Sequence, residues 1–243
     1  MKLTSKILIV MLLLFTSGLF ASNMLLKRQY DKVDKTDIYW TYEKVLEQPF
    51  RHLKIDGGNL TRIVYRQSAY SSVRVAKDWY GYQAGQLKAI VKNDTLYLTI
   101  PNTYRNINEK NYLQWTTVLR IFSPELLSVA GTNTNILMEK LNQKSVEVKL
   151  SGKSGFEAES IVPQFDSITI DQSDSSNVQF EMDPALKAPG NFHVNYLRAN
   201  LKGVSFLDIG HAKIDSLQLS VTDSSGIFLS GSAINKRSLG VQK

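Results

Sequence analysis

Acidic and amide side chains in two related polar segments are the best-suited residues in this chain for cation binding. Asp171, Asp174 and Asn177 fall within DQSDSSN, and the second segment, TDSSG, has Asp223 in the place of Asp174. A calcium loop of the EF-hand type also needs a glycine at its sixth position and a glutamate at its twelfth. The twelfth residue here is Met182. Both segments are therefore predicted to be turns, in which Asp and Ser bond to nearby backbone N–H groups, and no metal site is predicted.

Asp166 and Asp215 are the two carboxylates whose spacing could serve a glycan-hydrolysing enzyme. They occupy equivalent positions in two copies of a repeat, which would place them about 9 to 10 Å apart along a stack of strands. That separation is compatible with an inverting pair of carboxyl groups. Each follows an apolar residue and precedes a serine, with no cation beside it in the sequence. We therefore predict no enzyme, and a polysaccharide-acting enzyme remains the minor alternative.

The remaining chemistry-bearing residue types do not form a recognisable site. The chain has no cysteine, and His52, His193 and His211 lie far apart without a metal-binding or catalytic spacing. They are interpreted as surface or strand-end histidines. We predict no catalytic residue, no cofactor-binding residue, no metal ligand and no cofactor.

Several aromatic side chains could stack on a flat ligand. Tyr80, Tyr82, Tyr104 and Trp115 are candidates for stacking on sugars or bases. The net charge is +7, but no dense Lys/Arg run accompanies these residues, so no nucleic-acid partner is predicted. The segment GGNLTR, which begins at Gly57, lacks the strand–helix context of a phosphate loop and is interpreted as a turn.

The elements that would position these residues are short strands that repeat. FDSITIDQSDSSNVQF, from Phe165, and IDSLQLSVTDSSGIFL, from Ile214, match at five of sixteen positions. Fainter copies begin at Val146, 22 residues before Ile168, at Val194, 26 residues after Ile168, and at Leu127. Each unit reads apolar-x-apolar, a polar bend, Gly or Asn, then apolar-x-apolar.

A repeat of 22 to 26 residues is typical of a solenoid, in which stacked coils bury ladders of like side chains. Gly155, Asn177, Gly203 and Gly226 are predicted at bends that require a positive φ. A β-sandwich also has short strands and turns, but it would not predict this match between repeats. The predicted fold is all-β, a single-stranded parallel β-helix that follows one transmembrane helix.

The N-terminus carries an export signal. Lys2 and Lys6 precede an apolar stretch from Ile7 to Leu26, and Lys27 follows it. Twenty helical residues span about 30 Å, the thickness of a hydrocarbon core. Leu19 and Ala21 make a poor cleavage site for a signal peptidase, so a signal-anchor is favoured over a cleaved signal peptide. Either interpretation exports the rest of the chain.

The chain also resembles a bacterial family of unknown function, the auto-transporter adhesin head GIN domain family. The resemblance lies in FRHLKIDGG from Phe50, the paired Val73 and Val75, NDTLYLTIP from Asn93, and the coils from Leu126 to about Gly231. It covers roughly residues 50 to 231. It implies an exported right-handed parallel β-helix with no established activity.

These observations predict four segments and a binding role. Residues 1–28 are the anchor, 29–48 a juxtamembrane connector, 49–234 the β-solenoid and 235–243 a C-terminal tail. We expect a non-catalytic, adhesin-like binding or structural module in the bacterial cell envelope. It would be anchored in the inner membrane with a periplasmic domain, or secreted if the N-terminal segment is cleaved. The expected partners are the membrane and an envelope glycan or protein. An accessory or sensor subunit for an envelope protein is the alternative.

Overall fold

The computed structural model describes residues 3–161, 164–182, 193–210, 212–229 and 239–241. The chain divides into two compact units, Met1–Tyr42 and Glu43–Lys243. The described helices are α1 (Leu3–Asp31), α2 (Tyr80–Gln83) and α3 (Ile107–Trp115). The described strands are β1 (Tyr42–Leu46), β2 (His52–Asp56), β3 (Arg62–Gln67), β4 (Ser72–Ala76), β5 (Lys88–Lys92), β6 (Thr95–Thr99), β7 (Thr117–Ser123), β8 (Ser128–Thr132), β9 (Asn135–Leu141), β10 (Ser145–Ser151), β11 (Gly155–Ser160), β12 (Gln164–Gln172), β13 (Asn177–Met182), β14 (His193–Leu201), β15 (Phe206–Asp208), β16 (Lys213–Val221), β17 (Gly226–Phe228) and β18 (Leu239–Val241).

The first unit consists mainly of α1, which is long and apolar enough to cross a membrane. Its 29 residues extend about 43 Å, whereas a hydrocarbon core is about 30 Å thick. The hydroxyls of Thr16 and Ser17 donate to backbone carbonyls of the preceding turn, which suits an apolar environment. A transmembrane anchor and a signal sequence both fit such a helix near the N-terminus.

The strands form two mixed sheets of nine strands each. Sheet A has the order β1-β4-β7-β3-β9-β11-β13-β15-β17, and sheet B has the order β18-β16-β14-β12-β10-β8-β2-β6-β5. From β8 onward, successive strands alternate between the sheets and each pairs in parallel with the strand two places further on. In the N-terminal part, β4 is antiparallel to β7 and β5 is antiparallel to β6. The described residues are therefore mostly β, as predicted, but the prediction of a single-stranded parallel β-helix is corrected to two mixed sheets that do not form a closed solenoid.

The correction arises because chain order and spatial order diverge in the N-terminal part. β2 lies between β6 and β8, and β3 lies between β7 and β9. β6 and β7 therefore lie on the opposite side of β2 and β3 from β8 and β9. After β7 the chain passes back across β2 and β3 to form β8. The buried side chain of Gln143 stabilises the segment between β7 and β8. Its Nε2 donates to the Leu126 carbonyl at 2.8 Å, and its Oε1 accepts from the Leu126 N–H at 3.1 Å. Apolar alternation is the same whichever strand lies alongside, so the sequence could not show this order.

The core lies between the two sheets and is built from rows of like side chains, each of which is buried. Fully burying such an apolar side chain contributes about 1.5–3 kcal/mol. The paired registers give a row on each sheet. The sheet B row is Val129, Val148, Ile170 and Ala199, and the sheet A row is Ile136, Phe156, Val178 and Leu207.

The corners at which the chain leaves sheet B for sheet A share a left-handed residue. Asn133, Gly152, Asp174, Gly203 and Asp223 have φ values of 51°, 67°, 62°, 74° and 60°. Gly, Asn and Asp tolerate this conformation better than other residues. The turn prediction for the two acidic segments is therefore confirmed at Asp174 and Asp223.

The predicted bend positions need a correction. Of Gly155, Asn177, Gly203 and Gly226, the positive φ occurs at Gly203 alone, and the other three begin β11, β13 and β17. Gly155 leaves room for a neighbouring amide, because a Cβ there would lie 2.8 Å from the Asn135 Oδ1 and would displace that side chain. The repeated Gly and Asn therefore mark a row on the outer face of sheet A as well as a bend.

One repeat register also differs from the prediction. The sequence pattern places Val194 in the slot of Ile168, but in the structure Ile168 pairs with Leu197, and Leu197 pairs with Leu217. Val194 and Leu197 are both buried, whereas Tyr196 is exposed. Val194 instead pairs with Phe165 and Ile214, which are buried three residues before Ile168 and Leu217. All three strands therefore interrupt strict alternation in the same way, and the sequence pattern matched the earlier apolar residue of β14 to the later one of β12. The predicted tail, residues 235–243, lies outside the described residues except for β18.

Candidate ligand-binding groove

Trp115, the last residue of α3, is 89% exposed. Among the described residues, no ring contact, cation contact or hydrogen bond involves its side chain. Tryptophan is well buried on average, so an indole that is almost fully exposed offers an accessible surface on which a ligand ring could stack. Trp115 is therefore the starting point for a binding site.

The local sequence fixes α3 and with it the position of Trp115. The Asn106 Oδ1 accepts a hydrogen bond from the Glu109 N–H at 3.0 Å, and the Glu109 Oε2 accepts one from the Arg105 N–H at 2.6 Å. These bonds cap the N-terminus of the helix. Leu113 is the buried residue of α3, which contacts β3. The helix thus presents Trp115 just before β7 begins.

The loop after β2 forms the opposite side of the site. Gly57 and Gly58 have φ values of 92° and 89°, and a Cβ at Gly57 would lie 1.9 Å from the Ile100 carbonyl oxygen. Only glycine fits this close approach. The Asn59 carbonyl accepts a hydrogen bond from the Asn135 Nδ2 at 2.7 Å, which ties the loop to β9. The interpretation of GGNLTR as a turn is confirmed.

Trp115 and this loop line an open groove of about 490 Å³, called the Trp115 groove below. Its lining combines one aromatic face with amide, hydroxyl and guanidinium groups that both donate and accept hydrogen bonds. A sugar ring offers the matching chemistry, since its C–H groups can lie on the negative face of the indole while its hydroxyls bond to the rim. The polar lining residues are Asn59, Thr61, Arg62, Gln114, Thr117 and Asn135.

A second depression of about 180 Å³ shares Arg62 and Asn135 with the Trp115 groove. Glu157 and Asn177 also line it. The Arg62 Nη2 lies 3.2 Å from the Glu157 Oε2, and both side chains are partly exposed. The guanidinium charge of Arg62 is therefore offset by a carboxylate at the junction of the two depressions.

An acidic cluster lies beside the second depression. One carboxylate oxygen from each of Glu157, Glu159 and Glu181 lies within 4.8 Å of the others. Burial raises the pKa of Glu181, and the negative charges of Glu157 and Asp208 raise it further. The surroundings of the second depression are therefore unfavourable for an anionic ligand.

Comparisons with known proteins do not assign a family. No family model matches the chain, and no curated protein matches it. Among solved structures, the chain is similar to a "putative adhesin" from Bacteroides fragilis, with 16% identity, a TM-score of 0.49, and coverage of 78% of this chain and 96% of that chain. It is also similar to a "putative lipid binding protein" from Parabacteroides distasonis, with 13% identity, a TM-score of 0.40, and coverage of 79% and 94%. A "putative adhesin" from Parabacteroides merdae has 13% identity, a TM-score of 0.33, and coverage of 77% and 94%. The head GIN resemblance stays a prediction, and function is argued below from the chain's own residues.

The candidate carboxylate pair lies on sheet B, away from this groove. Asp166 and Asp215 lie on β12 and β16, and β14 separates them. The His193 Nε2 lies 2.7 Å from the Asp215 Oδ2, and the Asn195 Nδ2 donates to the Asp166 Oδ1 at 3.5 Å. The interpretation that neither carboxylate has a basic neighbour is wrong for Asp215, because the parallel pairing of β14 with β16 brings His193 alongside it. Both carboxylates are exposed and already contact polar groups of β14.

The histidines that the structure describes lie at strand ends, as predicted. His52 is the first residue of β2, and its Nδ1 lies 2.7 Å from the Ser128 Oγ. His193 is the first residue of β14. His211 lies outside the described residues.

Two of the other candidate aromatics carry cations on their rings. The Arg105 guanidinium lies 4.2 Å from the centre of the Tyr80 ring, and the Lys110 ammonium lies 5.6 Å from that of Tyr104. These contacts compete with any ligand that would stack there. Trp115 therefore remains the most accessible stacking surface among the described candidates.

The sequence interpretation missed the amide rim of the groove. Gln114 lies on α3. The start of this helix could have been predicted, because the spacing of Asn106 and Glu109 is a capping pattern. Asn59 and Asn135 come together only through the pairing of β3 with β9, which carries no local sequence signal.

Proposed function

We propose that this protein is a non-catalytic, membrane-tethered module of the bacterial envelope that binds a glycan in the Trp115 groove. The observation that carries the proposal is the 89% exposed indole of Trp115 beside a rim of neutral hydrogen-bonding groups. Binding sites of this kind place a few polar groups around an apolar face. A buried indole would offer no such surface.

The charge of the groove supports a glycan over a nucleic acid. Nucleic-acid binding depends on several cations that neutralise phosphates. The groove lining includes Arg62, whose guanidinium already pairs with Glu157. Uncharged amide and hydroxyl groups suit sugar hydroxyls, which are donors and acceptors at once.

The proposal also covers the membrane position of α1 and the arrangement of the parallel strands in the second unit. We place α1 in the inner membrane as an uncleaved anchor and the second unit in the periplasm. We interpret the parallel strands from β8 onward as solenoid coils, right-handed like other parallel crossovers. The intact mass of the membrane-extracted protein tests the anchor, because cleavage would remove the N-terminal residues.

The test of glycan binding uses the full-length protein in a detergent without a sugar headgroup. We would screen it on an array of envelope polysaccharides and oligosaccharides and monitor cleavage in the same wells. We expect binding without cleavage, and we expect Trp115→Ala to remove it. Cleavage would refute the non-catalytic assignment and direct attention to Asp166 and Asp215.

A matched control keeps the assay specific. Tyr70 is also an exposed aromatic residue, at 56%, and it does not line the groove. Tyr70→Ala should bind like the wild type. Equal loss in both variants would indicate nonspecific stacking on exposed rings, and no glycan binding at all would favour the alternative of a protein partner.

A further inference from the structure

The polar groove continues across the strands of sheet A. Asn135, Gly155 and Asn177 occupy one row on β9, β11 and β13, and the row continues to Phe206 on β15. Neighbouring strands lie about 4.8 Å apart, so three spacings from Asn135 to Phe206 amount to about 14 Å. Phe206 is 44% exposed, and the next residue is buried, so its ring lies on the outer face. Phe206 therefore provides an aromatic ring at one end of the row. Beyond the other end, Trp115 precedes β7, which β3 separates from β9, so Trp115 and Phe206 lie about five strand spacings, or about 24 Å, apart across the sheet.

Gly155 leaves the middle of this row open. A Cβ at Gly155 would lie 2.8 Å from the Asn135 Oδ1. A side chain there would fill the space between the amides of Asn135 and Asn177, two strand spacings or about 10 Å apart. That spacing is comparable to the repeat of two rings in an extended glycan. The second depression lies over this part of the row.

We propose, on the basis of the glycan-binding function above, that the ligand is a neutral, extended glycan of about five rings or more. It runs across the strands, with one ring on Trp115, one over Gly155 and one on Phe206. The amides of Asn135 and Asn177 bind its hydroxyls. The acidic cluster of Glu157, Glu159 and Glu181 beside the second depression disfavours acidic sugars.

The experiment measures affinity against chain length. Full-length protein in a detergent without a sugar headgroup is titrated calorimetrically with β-1,4-linked oligomers of glucose and of N-acetylglucosamine, from one ring to six. We expect the dissociation constant to change little between two and four rings and to fall about tenfold by six rings, the gain of one aromatic contact.

Two variants test which residues cause the increase in affinity with chain length, and Tyr70→Ala is the control. Phe206→Ala and Asn177→Ala should reduce the gain with length but keep the affinity for two rings, whereas Trp115→Ala should weaken every length. Because the two variants alter different strands, a folding defect in one leaves the other informative, and thermal unfolding identifies such a defect.

The outcomes separate this inference from the proposed function. Binding that is independent of length but lost in Trp115→Ala would overturn the extended ligand and leave the glycan-binding function standing. No detectable binding to either neutral series, or a preference for uronic acid oligomers, would also overturn this inference. The array screen would then decide separately whether the protein binds any glycan.

Discussion

The carboxylate of Asp223 accepts a hydrogen bond from the backbone N–H of Gly203, 3.0 Å away and one repeat earlier in the chain. Asp174 does the same for Gly152, also at 3.0 Å. All four residues have a positive φ. Acidic and glycine residues therefore alternate at one corner of the fold, and each Asp satisfies a backbone donor of the preceding glycine corner. This arrangement explains why the two acidic segments resemble each other, because each supplies the carboxylate that binds the glycine corner before it.

Replacing Asp174 tests the corner. Asp174→Ala removes the hydrogen bond to the Gly152 N–H. It also places alanine at φ +62°, a conformation that Asp tolerates better. We expect a loss of about 2–3 kcal/mol in the free energy of unfolding, from the lost bond and the left-handed strain. Asp174→Asn, which tolerates the conformation and keeps an acceptor, should lose less than about 1 kcal/mol. Urea unfolding followed by circular dichroism measures both, and equal stability of Asp174→Ala and wild type would refute this role.

Gly203 should tolerate substitution less well than an isolated left-handed glycine. A Cβ at Gly203 would lie 2.8 to 3.0 Å from backbone atoms of Asp174, whereas a Cβ at Gly85, which has a φ of 69°, would meet nothing within 4 Å. Gly85→Ala should cost about 1–2 kcal/mol through backbone strain alone. Gly203→Ala should cost about 1–3 kcal/mol more, through steric overlap. Similar melting temperatures for the two variants would contradict the close packing of successive corners.

Tyr65 should make stability depend on pH in the alkaline range. Burial raises the pKa of Tyr65 to about 12 from 10.0, an effect that the Ser123 hydrogen bond opposes and the Glu125 charge reinforces. Between these values the folded state retains a proton that the unfolded state has lost, so stability falls as pH rises from about 10 to 12. The difference amounts to about 2–3 kcal/mol. Tyr65→Phe should lack this component, and parallel stability curves for the two proteins across that range would contradict it.

Glu181 should make stability depend on pH in the same direction as Tyr65, but in the acidic range. Burial, with the charges of Glu157 and Asp208, raises the pKa of Glu181 above 4.5. Stability is therefore fully present below pH 4.5 and falls as pH rises through the folded-state pKa. Glu181→Gln should be more stable than wild type at pH 7, by roughly half a kcal/mol or less because the site is partly solvated, and about equal at pH 4. Thermal unfolding at the two pH values measures this difference, and a destabilised variant at pH 7 would rule it out.

Trp115 and Trp79 should differ sharply in their contribution to stability. Trp79 is 2% exposed and Trp115 is 89% exposed. We expect Trp79→Ala to cost about 3–5 kcal/mol, as for other buried aromatic residues. Trp115→Ala should change stability by about 0.5 kcal/mol or less. A large loss on removing Trp115 would show that the indole serves packing and would weaken the glycan-binding proposal.

The repeats were predictable because they depend on local pattern. The apolar pairs that begin at Val146 and Ile168 align in the structure as the sequence indicated, 22 residues apart. The same pattern failed at Val194, because β12, β14 and β16 each have a buried apolar residue three places before the apolar pair, and Val194 is that earlier residue. A pattern of period two sets which face is buried, but a local irregularity moves the register without any change in composition.

The sequence was sufficient to predict the apolar N-terminal helix, the β-rich body, the polar turns at Asp174 and Asp223, and the absence of cysteine chemistry. Each follows from the composition or the spacing of residues near one another in the chain. Tertiary structure alone decided the mixed sheets, the return of the chain held by Gln143, and the groove that joins Trp115 to Asn59 and Asn135. These features depend on which strands become neighbours. Strand pairing is long-range and is made by backbone hydrogen bonds that are the same for nearly every residue, so no short segment of sequence indicates the partner.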